Sequence, residues 1–384
     1  MARLVPPLLR RSQCPLARDA STVLKNRQHA SHLFCPRWLA NWRWAVAVET
    51  MGFGSYDMNM SEKSSSPKFW RNRVVLVTGG NGFLGRNVVE AFTESGANVI
   101  APTRQQADLT VPGVALELFK RHQPSHVVHL AARVGGIGYN QVAPARLYLD
   151  NLLMGTNTIE AARSSGVEKT VLLGTVCSYP KFTPVPFREE SIWDGYPEET
   201  NAPYGIAKKA LLVHAQVNAQ QYGQRFAFLI PTNLFGPGDK FHPDVSHVIP
   251  ALIKKCVEAK EQNLDKIEVW GTGSASRDYL YVKDAARAIL LASELHESTV
   301  PLNLGNNREI TIRETAETIA RIVGFSGELV WDATRPDGQP RRRVDASRAE
   351  RELGWHASTK FEDGLRETVQ WFLANRQQAM HLSN

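Results

Sequence analysis

From residue 73 onward, the spacing of the apolar residues alternates between the pattern of a strand and the pattern of a helix. Short β-branched runs that end in small or polar residues indicate strands at 73–79, 98–103, 126–132, 169–175 and 225–233. Between them lie segments with helical apolar spacing, such as 86–96 and a long segment that begins near Tyr204. Because strands that alternate with helices are joined by right-handed crossovers, this pattern predicts an α/β fold with a doubly wound parallel sheet, covered on both faces.

The second half of the chain has a different pattern. After Asn233, glycine and proline interrupt the sequence repeatedly, and a strand pattern returns at 267–273. We interpret residues 71–235 as the domain that carries the main sheet, and 236–384 mainly as a smaller C-terminal lobe that closes over a ligand at the strand ends. Segments such as 277–292 are expected to return to the main sheet. Residues 1–70 are expected to be a disordered extension outside both.

The net charge is concentrated in the first 48 residues. The chain has 45 basic and 38 acidic residues, of which 8 basic and 1 acidic lie within 1–48, so the remainder has 37 of each. The neutral body predicts neither a nucleic-acid nor a membrane partner. The basic segment is typical of an organelle presequence or of translation from too early a start. We favour the second, because residues 58–70 resemble a natural beginning.

The cysteines and histidines indicate neither a disulfide framework nor a metal site. Cys14 and Cys35 lie in the extension, Cys177 and Cys256 lie in the body, and none has the spacing of a zinc site. No apolar run approaches the roughly 20 residues that a membrane helix requires. We therefore expect a protein of a reducing, cytoplasmic compartment that binds no metal.

A glycine-rich turn follows the first predicted strand. Gly79, Gly82 and Gly85 are spaced by three between that strand and the next helix. Glycine permits a tight turn and close approach of the backbone, so the free N–H groups and the dipole at the helix start can bind a pyrophosphate. The turn therefore predicts a Rossmann-type dinucleotide site formed by Gly79, Gly80, Asn81, Gly82, Phe83, Leu84 and Gly85.

The end of the second predicted strand favours NADP over NAD. An acidic residue there would accept a hydrogen bond from the ribose 2′-hydroxyl of NAD, whereas an arginine would pair with the 2′-phosphate of NADP. The chain has Arg104 at this point and no acidic residue before Asp108. A solvated surface role for Arg104 is the competing interpretation.

Tyr204 and Lys208 are four residues apart, and so lie on one face of the predicted helix. A nearby ammonium is expected to lower the pKa of the phenol, so that tyrosine can protonate a developing alkoxide near neutral pH. Thr175, at the end of the fourth predicted strand, supplies a hydroxyl that can donate to a substrate carbonyl. The three residues predict a reductase site.

This set of residues resembles that of the extended short-chain dehydrogenase/reductase family, over about residues 72–375. Within it, the chain resembles the GDP-L-fucose synthases through "AARVGGIGYN", "GTVCSYPK", "NAPYGIAKKA", "PTNLFGPGDKFHPDVSHVIPAL", "VWGTGSASRDYLYVKD" and "RPDGQPRR". The resemblance implies a GDP-linked keto-sugar substrate, GDP-4-keto-6-deoxy-D-mannose, that is epimerised at C3 and C5 and then reduced at C4 with NADPH. It also implies a homodimer.

The same resemblance implies roles for further residues. Cys177 and His247 match the acid/base pair of the epimerisations, and a thiol and an imidazole suit proton transfer because their ordinary pKa values lie on either side of neutrality. Residues matched to the cofactor are Leu173, Gly174, Thr175, Val176, Lys208, Pro231, Thr232, Asn233, Leu234 and His247. Residues matched to the GDP-sugar are Lys255, Trp270, Arg277 and Asp337.

The chain departs from the family pattern at two positions. Asn81 stands where a basic residue is common, and Thr175 replaces the commoner serine, which keeps the hydroxyl and adds a methyl group. Arg341, Arg342 and Arg343 are expected at the surface, because three consecutive side chains cannot all point inward.

Structural roles for Cys177, His247, Lys255 and Trp270 also remain open at this point. Two functional alternatives stay open as well. One is another nucleotide-sugar enzyme of the family, either a 4-epimerase that retains NAD or a simple 4-reductase. The other is a non-catalytic NADP(H) sensor, against which the intact set of Thr175, Tyr204 and Lys208 argues.

Overall fold

A computed structural model of the chain describes residues 65–135, 137–243, 246–335 and 339–381, without the side chains of 137–139 and 381. All of them belong to one compact unit that spans residues 60–384. The predicted extension over 1–64 lies outside the described residues.

The strands follow the predicted order through the first half of the chain. Each predicted run in this half forms a strand, generally shorter by one or more residues at its ends. In chain order the strands are β1 Val74–Thr78, β2 Asn98–Ile100, β3 His126–His129, β4 Lys169–Leu173, β5 Phe226–Pro231, β6 Asn233–Phe235, β7 Lys266–Trp270, β8 Ser276–Tyr281, β9 Leu302–Leu304, β10 Glu309–Thr311, β11 Glu328–Asp332 and β12 Arg341–Arg342.

The helices alternate with these strands, and glycine ends several of them in the left-handed conformation, as at Gly223 and Gly324. In chain order the helices are α1 Pro67–Trp70, α2 Phe83–Glu94, α3 Val114–His122, α4 Ile137–Val142, α5 Pro144–Ser164, α6 Ala202–Tyr222, α7 Val248–Glu261, α8 Val282–Leu295, α9 Ile312–Val323, α10 Ser347–Leu353, α11 Phe361–Ala374 and α12 Arg376–His381.

Within the described residues, six strands form a parallel sheet in the order β2-β1-β3-β4-β5-β9. Side chains alternate across it, so Val75 and Val77 pack with α2 and α8 on one face, and Leu76 packs with α3 and α5 on the other. Helix α6 lies against α5 and covers β4 and β5. The carboxyl ends of β1, β3, β4 and β5 therefore meet at one edge, where ligands bind in doubly wound sheets.

The second half of the chain builds a smaller lobe around β8. This strand pairs with β6, β10 and β12, while β7 pairs with β11. Helices α7, α9 and α11 share one apolar core with these strands. Of the segment 277–292, β8 lies in this smaller lobe, whereas α8 packs against α2 and the main sheet.

The predicted boundary of the N-terminal extension at residue 70 is wrong, because the folded unit begins earlier in the chain. Trp70 is fully buried in the main core, and its ring packs edge-on against Phe92. Ser65 and Ser66 both donate hydrogen bonds to the carboxylate of Glu294 in α8. Residues 65–70 therefore belong to the folded unit, because a large indole is buried there on folding.

Candidate active site

The glycine turn between β1 and α2 is packed so closely that side chains do not fit. Gly79 has a φ of +71°, and a Cβ there would lie 2.7 Å from the backbone nitrogen of Ala131. A Cβ at Gly80 would lie 2.7 Å from the Cβ of Ala101, and one at Gly85 would lie 2.1 Å from the oxygen of Gly79. Helix α2 begins without a side-chain cap. Its first N–H groups are therefore suited to the pyrophosphate of a dinucleotide.

Two arginines flank this turn. Arg104 is largely exposed, and its guanidinium lies 3.2 Å from the carboxylate of Asp108. Arg86, in the first turn of α2, donates through Nε to the backbone oxygen of Asn81 at 3.1 Å. The side-chain amide of Asn81 in turn donates to the oxygen of Ala101, so the turn is tied to the end of β2. The sequence analysis did not single out Arg86, although a basic residue just after a glycine turn is a usable signal.

Thr175 lies at the carboxyl end of β4 and shapes the turn that carries Cys177. Its Oγ1 accepts a hydrogen bond from the backbone N–H of Cys177 at 3.2 Å, which caps the short 3-10 turn Val176–Ser178. Because the hydroxyl oxygen acts here as an acceptor, its own proton is available for a substrate oxygen. Thr175 is buried and Cys177 half-buried at this turn.

Helix α6 is held directly against this turn. A Cβ at Gly205 would lie 2.4 Å from the carbonyl oxygen of Cys177, and Ser178 Oγ donates to the oxygen of Gly205 at 3.0 Å. Only glycine fits this contact. The close approach places Tyr204, the neighbour of Gly205 on α6, beside Cys177.

Lys208, one turn along α6, completes what we call the strand-end cluster, consisting of Thr175, Cys177, Tyr204 and Lys208. Lys208 is buried, with Nζ 5.8 Å from the centroid of the Tyr204 ring. Burial lowers the pKa of Lys208 to about 8. The expected lowering of the Tyr204 pKa is wrong for this structure: burial raises it, and the charge of Cys177 raises it further. Tyr204 is therefore held in its protonated form, ready to donate.

A buried histidine that the sequence analysis missed lies next to this cluster. His129 ends β3, and its Nδ1 lies 2.9 Å from Thr78 Oγ1 and 3.3 Å from Thr158 Oγ1. Burial, together with the charge of Lys208, lowers the pKa of His129 to about 3. The imidazole is therefore neutral beside the Lys208 ammonium. Its position at the end of a strand facing the site was the available signal.

The two segments matched to the cofactor lie at the ends of β4 and β5. Gly174 packs against the ring of Phe228, and its N–H donates to the oxygen of Leu229. The remaining residues of these segments are Leu173, Val176, Pro231, Thr232, Asn233 and Leu234.

Asp278 in β8 holds the second of these segments. Thr232 Oγ1 and Asn233 Nδ2 both donate to the backbone oxygen of Asp278, at 2.9 and 3.0 Å. Burial raises the pKa of the Asp278 carboxyl to about 7. Sequence analysis did not single out this residue.

His247 belongs to a different element from the strand-end cluster, since it is the N-cap residue of α7. Its side chain is exposed, yet the protein around it removes enough water to lower the pKa of the imidazole, and the ammonium of Lys240 lowers it further. Among the described residues, His247 has no side-chain hydrogen bond to Thr175, Cys177 or Tyr204. The structure thus places the two predicted epimerisation residues on different elements.

Three of the four predicted substrate residues, Lys255, Trp270 and Arg277, lie in the smaller lobe. Trp270 is 59% exposed, with Lys255 Nζ 5.9 Å and the Arg335 guanidinium 4.9 Å from its ring centroids. We call Lys255, Trp270 and Arg335 the tryptophan cluster; Arg335 was not predicted. Arg277 lies on β8 and donates to the oxygen of Gln339 at 2.7 Å. Asp337 lies outside the described residues.

The expectation that Arg341, Arg342 and Arg343 are all surface residues is wrong for two of them, because Arg342 and Arg343 are both half-buried. Arg341 is exposed and paired with Glu309. Arg342 is half-buried, and its Nη1 lies 3.9 Å from Cys177 Sγ. The alternation of side chains along β12 sends neighbouring arginines to opposite faces.

In the described part of the chain, no helix is both long and apolar enough to cross a membrane. The same residues contain no group of histidine, cysteine and acidic side chains that could hold a metal ion.

The fold and this site define a class of protein. The chain belongs to the NAD dependent epimerase/dehydratase family, whose sequence pattern matches residues 75–305. The predicted Rossmann-type fold class is confirmed.

More specific similarity points to one group in that family. The chain is 39% identical to GDP-L-fucose synthase 1 of Arabidopsis thaliana over 323 residues, which are 84% of this chain and 97% of the relative. It is 38% identical to GDP-L-fucose synthase of Escherichia coli over 312 residues, 79% of this chain and 97% of the relative. A crystal structure of a GDP-L-fucose synthetase from Naegleria fowleri bound to NADP superposes with a TM-score of 0.75 at 31% identity, covering 81% of this chain and 97% of that one. The predicted resemblance is confirmed.

Proposed function

We propose that this protein converts GDP-4-keto-6-deoxy-D-mannose to GDP-L-fucose, by epimerisation at C3 and C5 followed by reduction at C4 with NADPH. The observation that carries the proposal is the strand-end cluster. It places the Cys177 thiol beside the hydroxyls of Thr175 and Tyr204, next to a glycine turn suited to a dinucleotide. A plain ketoreductase has no use for a proton-transfer thiol at this point.

The reduction uses Tyr204, Thr175 and Lys208. Bound NADPH supplies the hydride for C4. Tyr204 protonates the C4 oxygen, since burial keeps its phenol protonated, and Thr175 donates a second hydrogen bond to the same oxygen. The Lys208 ammonium stabilises negative charge on the phenol after the proton has left.

The epimerisations use Cys177 and His247. The C4 ketone makes the protons at C3 and C5 acidic, because the carbanion is delocalised as an enolate. Inversion then requires one group to remove a proton and another to return it from the opposite face. His247 at the N-cap of α7 and Cys177 in the turn after β4 come from different elements, which is compatible with two groups that act on opposite faces of one sugar ring. Thr175 and Tyr204 stabilise the enolate oxygen as they later stabilise the alkoxide.

The smaller lobe holds the GDP portion. Lys255 and Arg277 bring positive charge for a diphosphate, and the exposed face of Trp270 is available for stacking. We assign Arg335 to the same surface because its guanidinium already packs on Trp270. Asp337 keeps its predicted role in substrate binding.

The NADP preference rests on two arginines. Arg104 is exposed after the end of β2. There it would exchange its contact with Asp108 for a contact with the 2′-phosphate of NADP. Arg86 supplies a cation beside Asn81, where relatives often carry a basic residue in the turn itself. The homodimer and the cytoplasmic location stay predictions from the sequence.

The decisive experiment supplies GDP-4-keto-6-deoxy-D-mannose with NADPH or NADH and resolves the sugar product. We expect GDP-L-fucose, formed faster with NADPH. In Cys177→Ser, inversion should fall about 100-fold or more while NADPH oxidation continues and yields an uninverted 6-deoxy sugar. Cys256→Ala, which changes a buried cysteine of the smaller lobe, is the matched control.

Other outcomes would identify the alternatives. An uninverted product from the unaltered protein would indicate a simple 4-reductase. Interconversion of a nucleotide-linked 4-hydroxy sugar and its C4 epimer by retained NAD, with no consumption of NADPH, would indicate a 4-epimerase. Cofactor binding without turnover of any keto-sugar would indicate a sensor.

A further inference from the structure

Arg342 reaches the proposed epimerisation thiol from a distant part of the sequence. It lies 165 residues beyond Cys177, and its Nη1 is 3.9 Å from Sγ, which is hydrogen-bonding distance for sulfur. The guanidinium carries a permanent positive charge and has donors but no acceptor. A contact of this kind favours the thiolate over the neutral thiol, since the thiolate is the charged partner.

Neighbouring contacts fix the direction of the guanidinium. Arg342 Nε donates to Gln339 Oε1 at 3.1 Å, and Gln339 Nε2 donates to the backbone oxygen of Lys181 at 3.3 Å. Arg342 also pairs in register with Arg277 across β12 and β8. The Arg342 side chain is therefore bonded to Gln339 of its own lobe, and Gln339 is in turn bonded to the segment that follows Cys177.

The backbone of Cys177 is held on both sides of the residue. The N–H of Cys177 donates to Thr175 Oγ1, and its carbonyl oxygen abuts Gly205 of α6. Because both partners are fixed through their backbones, the contact is part of the folded site.

We propose that Arg342 is a positioning residue that stabilises the thiolate of Cys177 and so makes it the base of the epimerisations. The inference rests on the proposed function. The thiolate sulfur takes the proton from C3 or C5 and becomes a thiol, and the electron pair of the broken C–H bond passes into the C4 carbonyl to form the enolate. Arg342 neutralises the charge before the transfer and does not itself exchange a proton.

The first test measures thiolate character without any substrate. The full-length protein is treated with iodoacetamide at pH 7.5, and the alkylation rate of the peptide containing Cys177 is followed by mass spectrometry. We expect Arg342→Gln to lower this rate about tenfold, because the thiolate is the reacting form. Arg342→Lys should keep at least about a third of the rate, since it keeps a charge in place.

Arg341→Gln is the matched control, because Arg341 is exposed in the same strand and pairs with Glu309. Exposed ion pairs of this kind contribute little to stability. The alkylation rate of Cys177 in Arg341→Gln should therefore stay within about twofold of the rate in the unaltered protein. An unchanged rate in Arg342→Gln, or an equal fall in Arg341→Gln, would overturn the proposal.

The second test measures proton removal from the sugar. GDP-4-keto-6-deoxy-D-mannose is incubated with each protein in D₂O without NADPH, and deuterium uptake is measured by mass spectrometry. Arg342→Gln should slow uptake about tenfold at saturating substrate, with Arg342→Lys restoring most of it. A rise in KM alone, with the maximal rate unchanged, would overturn the proposal in favour of a substrate contact.

The two tests separate this inference from the proposed function. If the unaltered protein gives no deuterium uptake while alkylation depends on Arg342, the epimerisation fails and the contact between guanidinium and thiolate stands. If deuterium uptake by the unaltered protein is normal and the alkylation rate does not depend on Arg342, the proposed epimerisation stands and the proposed role of Arg342 is wrong.

Discussion

The strand-end cluster and the tryptophan cluster differ in how firmly their residues are held. Thr175 and Lys208 are buried, and Cys177 is fixed by a backbone hydrogen bond and a glycine contact. Trp270 and Lys255 are exposed, and Lys255 is bonded to the smaller lobe through one backbone oxygen of β7.

We expect this difference to separate the residues that act in the chemical steps from those that bind the substrate. Removal of water strengthens electrostatic interactions and shifts proton affinities, as for Tyr204 and Lys208. Exposed cation–π contacts are each worth only about 0.5–1 kcal/mol, so the tryptophan cluster can be displaced by a ligand at little cost. We therefore expect changes in the first cluster to affect kcat and changes in the second to affect KM.

The largest expected effect follows from Tyr204→Phe. Loss of the phenolic proton removes the acid for C4 reduction, so kcat for NADPH oxidation should fall about 1,000-fold with little change in substrate KM. The measurement is absorbance loss of NADPH with the keto-sugar. Tyr222→Phe, at the exposed end of the same helix, should leave the rate within about twofold. A nearly normal kcat in Tyr204→Phe would contradict the assignment of the strand-end cluster to the chemical step.

An intermediate effect is expected from Trp270→Ala. Loss of the stacking face should raise the substrate KM about tenfold and leave kcat within about twofold, because the reacting atoms are held elsewhere. Steady-state kinetics measures both values. Trp193→Ala is the control, since Trp193 is 50% exposed and also has a lysine over its ring, Lys209 at 4.9 Å. A fall in kcat with unchanged KM would place Trp270 in the chemistry.

The smallest effect concerns pH. Burial disfavours the charged form of Lys208 and lowers its pKa to about 8, so its ammonium is present below that pH and is lost above it. The value of kcat/KM for NADPH should therefore fall several-fold between pH 8 and about pH 9. Lys208→Arg keeps its charge over this range. In Lys208→Arg, kcat/KM for NADPH should therefore not change between pH 8 and about pH 9. An identical decline in this variant would show that another group titrates.

The features that were predicted correctly are local in the chain. The glycine turn needs residues within one strand, one turn and one helix, and Gly79, Gly80 and Gly85 all meet backbone or small side chains there. The spacing of Tyr204 and Lys208 places both on one face of α6 for the same reason.

The features that were missed depend on contacts between distant segments. The charge of Lys208 acts on His129, Arg335 packs on Trp270, and Asp278 supports Thr232 from the smaller lobe. Each of these residues has an ordinary local pattern.

By itself, the sequence determined the fold class, the close-packed glycine turn after β1 and the placement of Tyr204 and Lys208 on one face of a helix, because these follow from hydrophobic period, glycine geometry and helical spacing. The tertiary structure decided the electrostatics. Burial raises the pKa of Tyr204 where the spacing of Tyr204 and Lys208 had predicted a lowering. The pairing of β12 with β8 aims Arg342 at Cys177. Desolvation and charge proximity depend on which segments pack together, and no local pattern contains that information.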